Sequence, residues 1–200
     1  MADHGALVAA LDAHRPVSPQ ETADIARVRA LLGGDDPWSR DIPLHVTASA
    51  LVLHPPSGRV LLRWHERMQS WLQVGGHADP GEDDPAAIAR REAEEETGLT
   101  DLTPFPDLAA DRLVHVVVVP VPAGRGEPAH EHADLRYLFT TATPGDVVPE
   151  SDTAGVRWLS LDAARSVARE ENLRVTLGRA GVILASATRP PPEARVEGCP

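Results

Sequence analysis

Residues 75–99 contain a helix that both of its ends hold in place, and this constrains the fold more than any other stretch. Asp84 stands where an N-cap belongs, Pro85 fits the first helical position, and Gly98 fits the left-handed residue that closes a last turn. The spacing predicts a helix of about thirteen residues. At roughly 100° per residue, Glu92, Glu95 and Glu96 fall on one face, with Ile88 and Ala89 nearer the packed side. Three carboxylates on one stripe repel one another unless a cation lies among them, and an all-oxygen surface suits a hard divalent ion such as Mg²⁺. The Gly75-Gly76 pair ahead of the helix is free enough in φ to turn a main-chain carbonyl toward the same ion. A plainer reading treats the run as a solvated face, with Arg90–Glu94 and Arg91–Glu95 as i,i+4 pairs. A solvated helix has no use for Pro80-Gly81-Glu82, a tight turn that returns an acid toward the stripe.

The flanks predict a mixed order of elements. Residues 1–35 read as a helical extension: a short helix around Leu7, Val8 and Leu11, then a second from the capping box Ser18-Pro19-Gln20-Glu21 to Gly33-Gly34. In the second, Ile25, Val28, Leu31 and Leu32 form an apolar face that needs a partner, either the core of the same chain or a second subunit in a homodimer. Strands are expected at Val46–Leu53, Arg59–Trp64, Trp71–Val74, Arg112–Val121, Asp134–Thr141 and Val156–Leu159. Helices at Asp162–Arg169 and Val175–Ala187 close the main domain, placed at 44–188. The Pro-rich residues 189–200 are expected to be disordered. Strands, a helix, strands and then helices indicate an α+β fold or αβα sandwich with a mixed sheet.

The segment from Gly76 to Leu99 resembles a Nudix box, the signature of the Nudix hydrolases. The family pattern is Gly, five residues, Glu, seven residues, then Arg-Glu-apolar-any-Glu-Glu-any-Gly-apolar. Gly76 and Glu82 match, as does the run from Arg91 to Leu99. The departures are an eight-residue spacer, Asp83 to Arg90, and a small apolar residue, Ala93. The resemblance implies the Nudix αβα sandwich and Mg²⁺- or Mn²⁺-dependent hydrolysis of a nucleoside diphosphate linked to another group. Carried over by position, Glu92 and Glu96 are the principal metal ligands and Glu95 a further ligand or water-positioning group. The Gly75 carbonyl completes the set, Glu82 supports it, and Arg91 orients the glutamates. Bound cations offset phosphate charge and make a water nucleophilic near neutral pH.

Outside the box, His130-Glu131-His132 leads into Asp134, Leu135 and Arg136 with strand alternation, so His130, His132, Asp134 and Arg136 share a face and Glu131 takes the other. A His-x-His pair can bind a transition metal, touch phosphate as imidazolium, or supply a base; a surface ion-pair edge is the plainer account. His130 and His132 are candidates for substrate binding. Glu131, Glu150 and Asp152 compete for the role of general base. Trp64, Trp71 and Trp158 could stack on a nucleobase or belong to the core.

Composition closes off other functions. Nineteen cationic residues, all Arg, against 30 acidic ones leave a net charge of −11, which disfavours a nucleic-acid polymer as partner. The absence of Lys excludes a lysine Schiff base. The single cysteine, Cys199, argues against isoprenoid diphosphate isomerisation, a Nudix-fold chemistry whose resemblance brings a catalytic cysteine in the body of the fold. No apolar run reaches membrane-spanning length and the N-terminus makes a poor signal peptide, so a cytoplasmic location without membrane attachment is expected. A non-catalytic Nudix-fold ligand-sensing module is the alternative function. Which nucleoside diphosphate derivative the protein takes is left open.

Overall fold

The computed structural model describes residues 4–107, 111–124 and 126–188. The tail expected to be disordered, Cys199 included, lies outside the described residues. The fold is organised around two parallel neighbours, β1 (Leu44–His54) and β7 (His130–Thr140), paired from Leu44 opposite Glu131 to Leu53 opposite Thr140. Nine consecutive residues of β1 are buried, which its apolar or small sequence allows and a central strand covered on both faces requires. The remaining pairings are antiparallel. β2 (Arg59–His65) and β4 (Val74–Gly76) share one edge of β1, and β3 (Ser70–Leu72) and β8 (Val156–Ser160) flank β2. Beyond β7 lie β6 (Leu113–Val121) and the two-residue β5 (Thr103–Pro104).

Period-two alternation divides the core into two layers. Val46, Ala48, Ala50 and Val52 of β1, with Ala133, Leu135 and Phe139 of β7, pack against α1 (Gly5–Ala13), α2 (Pro19–Leu31) and α3 (Pro85–Thr97). Leu51, Leu53 and Leu138 point the other way, onto α4 (Leu161–Val167) and α5 (Glu171–Ala187). This is the mixed-sheet αβα sandwich. The apolar face of α2 packs within the chain: Ile25 and Val28 are buried beside Leu7 and Leu11, with Leu31 and Leu32 partly buried against them. β7 begins four residues before the strand expected from the sequence and α5 likewise starts at Glu171, ahead of Val175. The turn that Pro55-Pro56-Ser57-Gly58 predicts forms as a 3₁₀ turn over Pro55–Ser57, whereas a second 3₁₀ turn, Pro144–Asp146, and the short β5 have no counterpart in the sequence reading.

On the α5 side the sheet changes character along its length. Where β1 carries His45, Thr47 and Ser49, β7 carries His132, Asp134 and Arg136 directly opposite. This polar end opens into a cleft of about 690 Å³ whose walls include Ser49, Arg63, Gln73, Gly75 and Arg136.

Candidate active site

The site lies where β4 splits away from β2 along the edge of β1. Ser49 faces Gly75 and Ala48 faces Gly76. Gly75 has φ of 148°, and a Cβ there would stand 2.5 Å from the Cα of Ser49, so both conformation and space demand glycine. At Gly76 an added Cβ would sit 2.5 Å from Oε2 of Glu92. The missing side chain is therefore what lets the Glu92 carboxylate rest against the backbone.

α3 forms as its caps dictate. The Asp84 carboxylate accepts from the amides of Ala86 (2.9 Å) and Ala87 (3.3 Å), and Gly98 takes φ of 70°. Ile88, Ala89 and Ala93 are fully buried, so the small Ala93 packs tightly beneath the sheet. That orientation turns Glu92 and Glu96 toward β4. Arg91 organises the stripe: its Nε and one terminal nitrogen bind both oxygens of Glu82 at 2.9 and 2.8 Å. The other terminal nitrogen reaches Glu92 and Glu95 at 3.0 Å each, while the nitrogen on Glu82 also donates to the carbonyl of His77 at 2.9 Å. Glu82 also accepts from the Asp79 amide at 2.8 Å, which folds the loop into a turn. The eight-residue spacer thus leaves the fork-to-fork pairing of Glu82 and Arg91 intact.

Glu96 accepts from the Gly75 amide at 3.1 Å and pairs with Arg63 at 3.1 Å. Burial pushes its carboxyl up to about 7, against the opposing pull of Arg63. Burial also raises Glu92, against the charge of Arg91. Two desolvated carboxylates held side by side by neighbouring cations form an oxygen-only donor set that a hard divalent ion would satisfy. Glu95 is the more exposed member of the stripe.

The residues outside the box fall into two groups. Arg63 binds Glu150 at 2.6 Å with the same guanidinium that reaches Glu96, so Glu150 is brought to the stripe. Glu131 is not. It lies on the face of β7 opposite to His130 and His132 and pairs with both terminal nitrogens of Arg27 on α2, at 3.1 and 2.6 Å. Strand alternation and that ion pair turn its carboxylate toward α2, away from the face that carries His130 and His132. Asp152 is exposed. His130 and His132 instead join His45 and His77, with ring centroids 4.8–5.3 Å apart in five pairings. Burial lowers His132 to about 4, which leaves the ring neutral at pH 7. Trp64 and Trp71 pack edge to face on each other at 5.4 Å, and Trp158 donates to the Pro144 carbonyl at 2.9 Å.

Sequence reasoning missed Arg63, Gln73 and Ser49. Gln73 donates to Asp134 at 3.2 Å and Ser49 does so at 2.7 Å, while Asp134 also binds the fully buried Arg136 at 2.8 Å. Their convergence depends on strand register, and only the polar stripe 132–136 hinted at it.

The NUDIX domain family matches residues 43–177. An Ap4A hydrolase from C. elegans, in a binary complex, superimposes with a TM-score of 0.55 at 22% identity, covering 70% of this chain and 98% of that one. A NUDIX-family hydrolase from Clostridium perfringens gives 0.52 at 25% identity over 71% and 97%. The E. coli dihydroneopterin triphosphate pyrophosphohydrolase gives 0.52 at 16% over 68% and 94%. None of the curated protein sequences matches. The domain match spans well over half the chain and contains the Arg91-clamped helix, and on that ground the chain belongs to the Nudix hydrolase family.

Proposed function

We propose that the enzyme hydrolyses the pyrophosphate linkage of a nucleoside diphosphate joined to a further group, with Mg²⁺ or Mn²⁺ held by Glu92, Glu95, Glu96 and the Gly75 carbonyl. The observation that carries this reading is the position of Glu92 and Glu96, desolvated and pressed against the Gly75-Gly76 backbone at the floor of an open cleft. A divalent ion there would offset phosphate charge and lower the pKa of a water.

The protein's own groups supply the rest. Arg91 fixes the carboxylate oxygens of Glu92 and Glu95 through one terminal nitrogen, and Glu82 holds Arg91 in plane. Arg63 and Arg67 line the cleft and give it positive charge in a chain that is acidic overall. Glu150 is the general base in this reading: its carboxylate is half exposed at the rim, Arg63 ties it to Glu96, and it can accept a proton from an attacking water. The intact clamp favours hydrolysis over ligand sensing.

The test is turnover of a panel of nucleoside diphosphate derivatives with Mg²⁺ or Mn²⁺. Glu96→Gln should lose activity by orders of magnitude while the metal-free protein melts at the same or a slightly higher temperature, since burial disfavours the lost charge more than Arg63 favours it, and Arg63 keeps Glu150 as a partner. A fully active Glu96→Gln enzyme would overturn the assignment. Glu150→Gln should lower kcat and leave KM nearly unchanged.

A further inference from the structure

At the far end of the polar sheet face, four imidazoles from three chain segments meet. His45 of β1 stands directly opposite His132 of β7, His130 lies two residues before it on the same face, and His77 follows β4. The ligating nitrogens of His45, His77 and His132 all lie within 4.8 Å of one another. The Nε2 atoms of His45 and His77 are 3.1 Å apart, and so are those of His130 and His132. Two nitrogens bound to a tetrahedral Zn²⁺ at about 2.0–2.1 Å are separated by about 3.3–3.4 Å. His45 and His77 are therefore close to the spacing such an ion imposes, and His132 lies within 4.8 Å of both.

The protonation pattern is also that of a ligand set. Nδ1 of His45 lies 3.1 Å from the Ile42 carbonyl, and Nδ1 of His130 lies 3.0 Å from the Pro128 carbonyl. A carbonyl only accepts, so each Nδ1 carries a proton, which leaves Nε2 as the nitrogen that can face a metal ion. Backbone carbonyls commonly orient metal-binding histidines in this way. The positive charge of Arg40 reaches the cluster, and Glu127 and Asp134 oppose it.

We infer that His45, His77 and His132 bind one transition-metal ion of borderline softness, of the Zn²⁺ type, with His130 within reach of the fourth position. Neutral nitrogen donors select such an ion over Mg²⁺, which prefers oxygen. The nitrogen set shares no side chain with the carboxylate stripe, although both lie along the same cleft, and it does not depend on the function proposed for the stripe. It would pin the loop after β4 to the two central strands, and the same loop gives its His77 carbonyl to Arg91.

The full-length protein, stripped with a chelator and held in millimolar Mg²⁺, is titrated with Co²⁺ as a spectroscopic probe and then with Zn²⁺. One equivalent of Co²⁺ should bind with the visible absorption of a tetrahedral nitrogen site, and Zn²⁺ should displace it. Zn²⁺ at 100 times its Kd should shift the folding equilibrium about 100-fold toward the native state, raising Tm. His132→Gln and His77→Gln should each weaken Co²⁺ binding by at least about 100-fold, the upper end of what loss of a mere supporting partner costs. Glu92→Gln and Glu96→Gln should leave the spectrum in place, which separates this site from the hydrolytic one. Absence of one-equivalent binding to the wild type would overturn the inference, and so would a spectrum that survives both histidine substitutions or disappears in Glu96→Gln. Should a histidine variant misfold, imidazole ¹⁵N shifts of the wild type with Zn²⁺ decide, because coordinated Nε2 atoms must move.

Discussion

Two adjacent glycines meet different obstacles, and substitution separates them. An alanine at Gly76 would drive its Cβ into the Glu92 carboxylate, the mobile end of a flexible side chain, so the fold can yield by moving that carboxylate. Gly76→Ala should keep a nearly native Tm and lose roughly 100-fold in activity, the cost typical of a misplacement of about 1 Å in a catalytic group. At Gly75 the obstacles are the Ser49 Cα and the Ala48 carbonyl, and φ is 148°. Gly75→Ala should lower stability by about 1–3 kcal/mol or more, because backbone must move and the conformation is strained. Denaturant melts beside initial rates on both variants check the contrast, and equal Tm values would show that the β4 edge is softer than its contacts suggest. The glutamate stripe and its Arg91 partner were legible in the sequence because i, i+3 and i+4 spacing alone places them. Arg63 and His45 were not, since each reaches its partner only through the register of strands far apart in sequence; Glu150 was one of three candidate bases, and its pairing with Arg63 is what sets it beside Glu96. The partner of Glu131 was hidden for a related reason: alternation had put Glu131 on the other face of the strand, but Arg27 lies 104 residues away.

Among the elements, those with chemical punctuation were read closely and those fixed by tertiary contact were not. Asp84 and Gly98 bound α3 at the expected residues, whereas β7 extends back to His130 because β1 lies beside it as a template. The capping residue Ser18 started α2 as expected and accepts from the Glu21 amide at 3.2 Å, yet Glu21 does more than complete a capping box. Its fully buried carboxylate accepts from Arg179 of α5 at 2.7 Å, from the Val17 amide at 2.9 Å and from the Val116 amide of β6 at 3.2 Å, and meets His14 at 2.8 Å. Burial alone would raise this carboxyl; the hydrogen bonds outweigh it and hold the group well below its ordinary 4.5. A carboxyl with a lower pKa folded than unfolded contributes stability that is present above the unfolded value and lost as the pH falls below about 4.5 toward the folded one. Tm should therefore drop on acidification through that window. Glu21→Gln should flatten this dependence and cost about 3–5 kcal/mol at pH 7, as expected for breaking a buried ion pair from one side. An unchanged acid limb in Glu21→Gln would place the dependence elsewhere.

Over the whole molecule, α1 and α2 close the sheet. β6 pairs with β7 along one side only, and its valine-rich sequence would leave an adhesive edge on the other. That second edge is covered by side chains from the extension and from α5. Glu21 and Asp24 accept from the amides of Val116 and Val118, each at 3.2 Å. Arg179 donates to the Val114 carbonyl at 2.9 Å, and the His14 ring meets the Leu113 carbonyl at 3.2 Å. Helix α2 thus does for β6 what another strand would do, using two carboxylates one helical turn apart against alternate amides of the strand. The family match begins at residue 43, so this cover comes from outside the matched domain. Removing residues 1–35 would strip the edge, uncover the apolar contacts of Leu7, Leu11, Ile25 and Val28, and leave Arg179 without its carboxylate partner. The truncated chain should self-associate through β6, seen as a rising mass in light scattering and as new β-sheet absorbance in the infrared. Glu21→Gln combined with Asp24→Asn keeps both helices and weakens only the acceptors; it should fall between the truncated and intact chains. A truncated protein that remains monodisperse at the concentration of the intact one would show that β6 needs no cover, and that α1 and α2 contribute packing alone.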